Sequence, residues 1–142
     1  SRFYPADVLY GKLRPYLDKA ALAEWEGVCS TDILVFNAYN ETATPEYIAG
    51  LLHTKTFIEY AISTTSGVNH PRTSWSSIKS FVAPRPPNPE QQEIARMLSA
   101  VDNKIEAEEN LKAALQALFR TMLHHLMTGK VRVKDITSSA AM

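Results

Sequence analysis

The side chains able to do chemistry are few and scattered. His124 and His125 are adjacent, so on a helix they diverge by about 100° and cannot share one metal ion. His53 and His70 stand apart from other ligand types, and no metal site is expected. Cys29, the single cysteine, lies in Gly27-Val28-Cys29-Ser30 beside a predicted strand, where a lone thiol behaves as a small hydrophobe. Asp102-Asn103-Lys104 has an acid-x-lysine spacing compatible with metal-dependent DNA cleavage, but inside a long helix it reads as a solvated face. Asp7 and Lys12 are too generic to add to it. Five glycines, none clustered, leave no loop to cradle a phosphate. Nothing has the form of a nucleophile elbow or a serine triad. No catalytic residue is expected.

Two stretches have the chemistry of nucleic-acid contact. Gly11 to Lys19 interleaves Lys12, Arg14 and Lys19 with Tyr16. Ser63 to Trp75 is dense in short hydrogen-bonding side chains, among them Ser66, Asn69, His70, Thr73 and Ser74, together with Arg72. Such side chains read base edges and hold phosphates. Both stretches are expected on one face, with the cations on phosphates and Asn69, His70 and Arg72 nearest the bases. The competing reading is a solvated loop and a charged turn in which Lys12 and Arg14 pin the fold through buried hydrogen bonds. Trp25 and Trp75 read as core or rim anchors. The overall charge gives no help: 15 Lys+Arg balance 15 Asp+Glu, whereas nucleic-acid-binding domains usually carry a basic excess.

These residues need a scaffold, and the chain is large enough to build one. Its 142 residues, 45% hydrophobic and 21% charged, suit one domain with an appendage and exclude disorder over most of the length. No apolar run approaches the roughly 18 residues of a membrane helix. One cysteine and no possible internal disulfide point to a reducing, cytoplasmic setting. The pattern predicts an α+β fold: a small mixed domain over 1–83, a proline-rich connector at 84–89, a long helix at 89–128 and a tail at 129–142. Asp7 to Tyr10, Ile33 to Phe36 and Ile78 to Ala83 read as strands. Thr44-Pro45-Glu46 opens a helix whose apolar face, Ile48, Leu51, Leu52, Ile58 and Ile62, runs to about residue 62. Ser63 to Ser77 reads as loop.

The long helix is the clearest element. Asn88 suits its N-cap, Pro89 its first turn, Gln91 a capping-box partner and Gly129 its C-terminal stop. Its length is roughly 60 Å. Ile94, Leu98, Val101 and Ile105, then Leu111, Leu115, Leu118, Met122 and Leu126, form a coiled-coil-like seam. Continuing the first register puts Glu108 and Lys112 on the stripe, so the seam breaks or shifts near its middle. A seam this long needs a second helix, and homodimerisation through it is expected.

Three blocks carry a family resemblance. Asp7 to Lys19 followed by Gly27 to Asp32 resembles the later half of a target-recognition domain in type I restriction–modification specificity (S) subunits. Pro84-Arg85-Pro86-Pro87-Asn88-Pro89-Glu90-Gln91-Gln92-Glu93-Ile94-Ala95 is similar to the family's proline-rich run and the opening of its long helix. Leu126 to Val133 is similar to the exit of that helix. Arg85 and Asn88 depart from the pattern, being polar where the family is usually apolar. The resemblance implies a non-catalytic subunit that reads part of a bipartite double-stranded DNA site. It also implies a paired-helix ruler with methyltransferase (M) subunits around it and motor-nuclease (R) subunits joining for cleavage. S-adenosylmethionine, ATP and magnesium are then expected in those partners and none in this chain. Family recognition domains have residues before the Asp7 block, so a fragment or half-subunit is expected. A helical assembly module that no longer binds DNA is the alternative, separable by salt-dependent retention on DNA.

Overall fold

The computed structural model describes residues 1–38 and 42–134. Among these, the elements run β1 (Arg2–Phe3), β2 (Val8–Gly11), a 3-10 turn (Pro15–Leu17), β3 (Ala20–Leu22), β4 (Gly27–Val28) and β5 (Ile33–Phe36). The helices α1 (Pro45–Leu52), α2 (Lys55–Ser63), α3 (Trp75–Ile78) and α4 (Asn88–Met127) follow. The fold is α+β, a small sheet domain followed by one long helix. The chain divides into two compact units, Ser1–Leu98 and Ser99–Met142. The expected boundary at 84–89 falls inside the first of these. Of the expected tail, residues 135–142 lie outside the described residues.

In the first unit β2 is the middle of a three-stranded antiparallel sheet, between β3 and β5. Val8 faces Leu22 on one side and Phe36 on the other, and Tyr10 faces Ala20 and Leu34. One face of β2 is therefore fully covered. Val8 and Tyr10 pack with Leu52 of α1, Phe57 and Ala61 of α2, and Ile78 of α3. The rings interlock edge to face: Tyr10 on Phe57 at 5.3 Å and Phe57 on Phe81 at 5.2 Å between centroids. Edge-to-face contact sets the positive rim of one ring on the negative face of the next. Burial, and then the charge of Asp18, push the Tyr10 hydroxyl up to about 12, so the ring packs as a neutral group.

Three sequence expectations are corrected. The predicted helix from 45 to about 62 is two helices. Thr54 ends α1 and caps α2, its hydroxyl accepting from the Phe57 N–H at 3.3 Å and donating to the Leu51 carbonyl at 2.7 Å. Thr44 caps α1 in the same way through the Tyr47 N–H. The predicted strand Ile78 to Ala83 is no strand, because Ser74 caps the short helix α3 and Ile78 turns inward as its last residue. Finally, the opening of α4 differs from the cap assigned to it. Asn88 is already its first helical residue, the Pro87 carbonyl accepts from the Gln91 N–H, and the Gln91 side chain serves a different role from the capping box. That side chain is fully buried and accepts from the Thr44 N–H at 2.9 Å. It donates to the Thr42 carbonyl at 3.1 Å and the Pro86 carbonyl at 2.8 Å. One amide thus ties the start of α4 to the residues that open α1.

A second, two-stranded ribbon pairs β1 with β4, setting Phe3 opposite Gly27. A Cβ on Gly27 would lie 2.6 Å from the Phe3 ring, so only glycine lets that ring settle on the ribbon. The buried Asp7 carboxylate accepts from the Tyr4 N–H and from the Asn37 side-chain amide, closing the turn into β2. At the far end of α4, Gly129 adopts φ 72° and the Val131 N–H donates back to the His125 carbonyl at 3.2 Å. The Gly129 N–H also donates to the Leu126 carbonyl at 3.2 Å, the bond from C′ to C2 that left-handed helix ends use.

Candidate nucleic-acid interface

The chain leaving β2 is bent back by two residues in left-handed conformation, Arg14 (φ 51°) and Asp18 (φ 47°), which bracket the 3-10 turn. Pro15 supplies the turn's first position and is buried. The return brings Lys19 over Gly11, where a Cβ would sit 3.1 Å from the lysine's Cβ and Cε. The Lys19 ammonium donates to the Leu13 carbonyl, so the aliphatic stem lies along the strand end and the charge stays exposed. Asp18 pairs with His53 Nδ1 at 2.8 Å, fastening the turn to the end of α1.

The polar loop after α2 closes on itself and then on this segment. Ser66 and Arg72 exchange both backbone hydrogen bonds at 3.0 Å, with Gly67 (φ 90°) turning the chain between them. A side chain at Gly67 would be strained by that φ and would crowd the His70 carbonyl at 3.3 Å. Arg72 also bridges to Leu13 in antiparallel fashion. The Arg14 N–H donates to the Pro71 carbonyl at 2.8 Å, and the Thr73 N–H donates to the Lys12 carbonyl at 3.1 Å. The two stretches singled out by chemistry are joined backbone to backbone.

Their side chains fall into two groups. Lys12 is half-buried, whereas Arg14, Tyr16, Lys19, Ser66, Asn69, His70 and Arg72 are exposed. Thr73 is buried, its hydroxyl bonded to Thr64 Oγ1 at 2.8 Å, and Ser74 Oγ caps α3. These two hydroxyls hold the frame of the loop. Val68 at the loop's outer turn is 98% exposed, an apolar group presented wholly to solvent.

One partner could not be read from the sequence motifs. Arg72 donates through Nε and Nη2 to the two oxygens of Asp32, at 3.0 and 3.3 Å. Asp32 stands at the foot of β5, where its backbone carbonyl also accepts from the Lys12 N–H. The Arg72 hydrogen bond, helped by the charges of Arg72, Lys12 and Lys19, holds the Asp32 carboxyl below its ordinary range. Four cations, Lys12, Arg14, Lys19 and Arg72, thus lie on the two joined segments, with Asp32 held by one of them. A carboxylate whose pKa is lowered by folding stabilises only while ionised, so its contribution is complete above its unfolded pKa of about 3.9. It is lost as pH falls through the lower folded value. Asp32→Asn is expected to be less stable than the parent near neutrality and equal to it in strong acid, as read by denaturant unfolding at each pH.

Among the described residues no three His, Cys, Asp or Glu side chains are grouped to hold a metal ion, and no helix is long and apolar enough to cross a membrane.

Comparison with known proteins gives one consistent answer. Residues 16–117 match the family model of the type I restriction modification DNA specificity domain. The chain is 30% identical over 133 residues to the type I restriction enzyme EcoDI specificity subunit of Escherichia coli, covering 91% of this chain and 29% of that protein. Its fold is similar to the crystal structure of the HsdS subunit from Thermoanaerobacter tengcongensis. The TM-score is 0.65 at 25% sequence identity, over 85% of this chain and 32% of that one. The chain spans about a third or less of the length of these relatives.

Proposed function

Because the chain belongs to the type I restriction modification DNA specificity family, we propose that it reads one part of a double-stranded DNA target. It does so within a complex whose methyltransferase and motor-nuclease subunits carry the catalysis. The observation that carries this reading is the junction of Lys12–Arg14 with Pro71–Thr73 through backbone hydrogen bonds. It gathers phosphate-binding cations and an exposed polar loop on one support. Lys12, Arg14 and Lys19 are assigned to phosphates, with Tyr16 beside them. Asn69, His70 and Arg72 are assigned to base edges, Ser66 to the loop margin, and Thr73 and Ser74 to holding the loop's shape. The Asp32 pair presets the Arg72 guanidinium before DNA arrives.

The helix α4 is the assembly element, expected to pair with a second long helix and to carry the methyltransferase and motor-nuclease subunits. S-adenosylmethionine, ATP and magnesium belong to those subunits in this reading, and the complex works in the cytoplasm. A balanced net charge favours one alternative, an assembly module without DNA affinity of its own. Retention on DNA that falls with salt separates the two.

The test uses the chain in complex with its methyltransferase subunit. Lys12→Ala is expected to weaken binding on all duplexes alike and lower the salt slope by about one unit. Arg72→Ala is expected to cost roughly 1–3 kcal/mol on the cognate duplex and little on random DNA. Equal loss on both would make Arg72 a phosphate contact. A Lys12→Ala variant that melts earlier with unchanged binding would make Lys12 a structural residue.

A further inference from the structure

The contact with Asp32 divides the Arg72 guanidinium. Nε and Nη2 donate to the two carboxylate oxygens at 3.0 and 3.3 Å, so one edge of the planar fork is occupied. The other edge, Nη1 beside the second hydrogen of Nη2, keeps parallel donors for an outside acceptor. The Arg72 side chain is still 45% exposed, so a ligand can reach that edge. Both partners are fixed through the backbone. The Lys12 N–H donates to the Asp32 carbonyl, the Lys12 carbonyl accepts from the Thr73 N–H, and Ser66 holds Arg72 from the other side. The Asp32 N–H donates in turn to Ser30 Oγ at 3.2 Å. A long side chain ordinarily loses rotamer freedom when it binds, and here an internal contact has already taken it. Of the four cations on the joined segments, Arg72 is the one paired with a carboxylate among the described residues.

We infer that Arg72 reads a guanine by donating to its O6 and N7 in the major groove, and that Asp32 is the positioning residue that makes this contact selective. The inference rests on the reading of the Arg72 loop as a base contact, and adds to it the base and the cause of the choice. Two parallel donors need two adjacent acceptors. Guanine alone among the bases offers them on its major-groove edge. Adenine sets an amino donor beside N7, cytosine presents an amino donor, and thymine has one carbonyl beside a methyl group. A phosphate also has adjacent acceptors, but it is held chiefly by net positive charge. The Asp32 carboxylate cancels most of that charge at Arg72 and leaves the fork's geometry intact. Lys12, Arg14 and Lys19 keep their full charge for phosphates. Asp32 thus aims the fork and also weakens the contact that Arg72 would otherwise make on any sequence. Weakening the wrong contact raises specificity as surely as strengthening the right one.

Base analogues test this on the complex of the chain with its methyltransferase subunit, using the duplex that this complex selects from a random pool. Each guanine in turn is replaced by 7-deazaguanine, which lacks the N7 acceptor and still pairs with cytosine. At one guanine the replacement is expected to weaken binding by the parent about fivefold or more, and to cost nothing further once Arg72 is replaced by alanine. A parent indifferent to every replacement, or losses that persist unchanged in Arg72→Ala, would overturn the inference and leave sequence reading by the loop intact. A parent complex that selects no duplex would overturn both. Asp32→Asn, measured well below its melting temperature, gives the second readout. It is expected to bind the selected duplex about tenfold more weakly, yet to bind random duplex more tightly with a salt slope steeper by about one unit, because the released cation is free for phosphate. A merely structural aspartate would lower both affinities together. That outcome, or no change on either duplex, would remove Asp32 from its positioning role.

Discussion

Leu115→Asp combined with Leu118→Asp is expected to leave the chain monomeric at concentrations where the parent is a dimer. Leu115 and Leu118 both lie on the apolar stripe of α4 that includes Leu111, Met122 and Leu126, so a carboxylate at either enters the apolar layer of the expected helix pair without a partner. The double variant should weaken dimerisation by roughly a thousandfold, about 4 kcal/mol. Both leucines are more than half exposed in the single chain, so neither change should lower the melting temperature of the sheet domain. Sedimentation equilibrium across a concentration series reads the first effect and thermal unfolding the second.

Gln91→Ala is expected to be the most damaging single change in the first unit. The buried amide is the partner of one N–H and two carbonyls, those of Thr44, Thr42 and Pro86. Truncation removes all three bonds at once and leaves the groups to find water in a part-buried place. Each orphaned group costs about 1–3 kcal/mol before relaxation, so a net loss of about 3 kcal/mol is expected. For a unit of this size that lowers the melting temperature by roughly 10–20 °C. Gln92→Ala, one residue on and exposed, serves as the control and should change stability by less than about 0.5 kcal/mol. Equal behaviour of the two variants would remove Gln91 from its tying role.

What could be read from the sequence follows the range of the interactions. The strand at Ile33–Phe36 and most of the β2 strand are continuous β-branched, leucine and aromatic runs, and they are where the pattern put them. The long helix is marked by its proline-free length beyond Pro89 and by Gly129 at its end. The cap chemistry read at its start did not hold, since Asn88 is already helical and Gln91 bonds elsewhere. The split between α1 and α2 has a local signal too, since Thr54 stands three residues before Phe57 as Thr44 stands before Tyr47, but the apolar spacing across His53 masked it. β1, β3 and β4 are two or three residues long, too short for any periodicity to register, and they exist because β2, or each other's edges, are there to pair with. Ile78 to Ala83 carries Ile78, Phe81 and Val82, residues that suit a strand, yet Ser74 captures Ile78 for a helical turn. Cap chemistry overrode strand propensity.

The candidate site divides in the same way. Its residue types and its two segments are visible as composition. Their junction at Leu13 and Arg72, and the Asp32 carboxylate that holds the arginine, join residues 40 or more positions apart and follow from the fold alone. Gln91 shows the opposite hazard. A residue spaced for one local motif was used for a contact 47 positions away.

The central claim is that the loop around Arg72 reads DNA sequence. Selection of bound duplexes from a random pool, by the complex of this chain with its methyltransferase subunit, tests it most directly. The account predicts that the parent enriches a defined motif. It also predicts that replacing Asn69, His70 and Arg72 by Ala relaxes the motif at particular base pairs while the complex still assembles. An identical motif from the parent and the triple variant, or no motif from the parent complex, would contradict it.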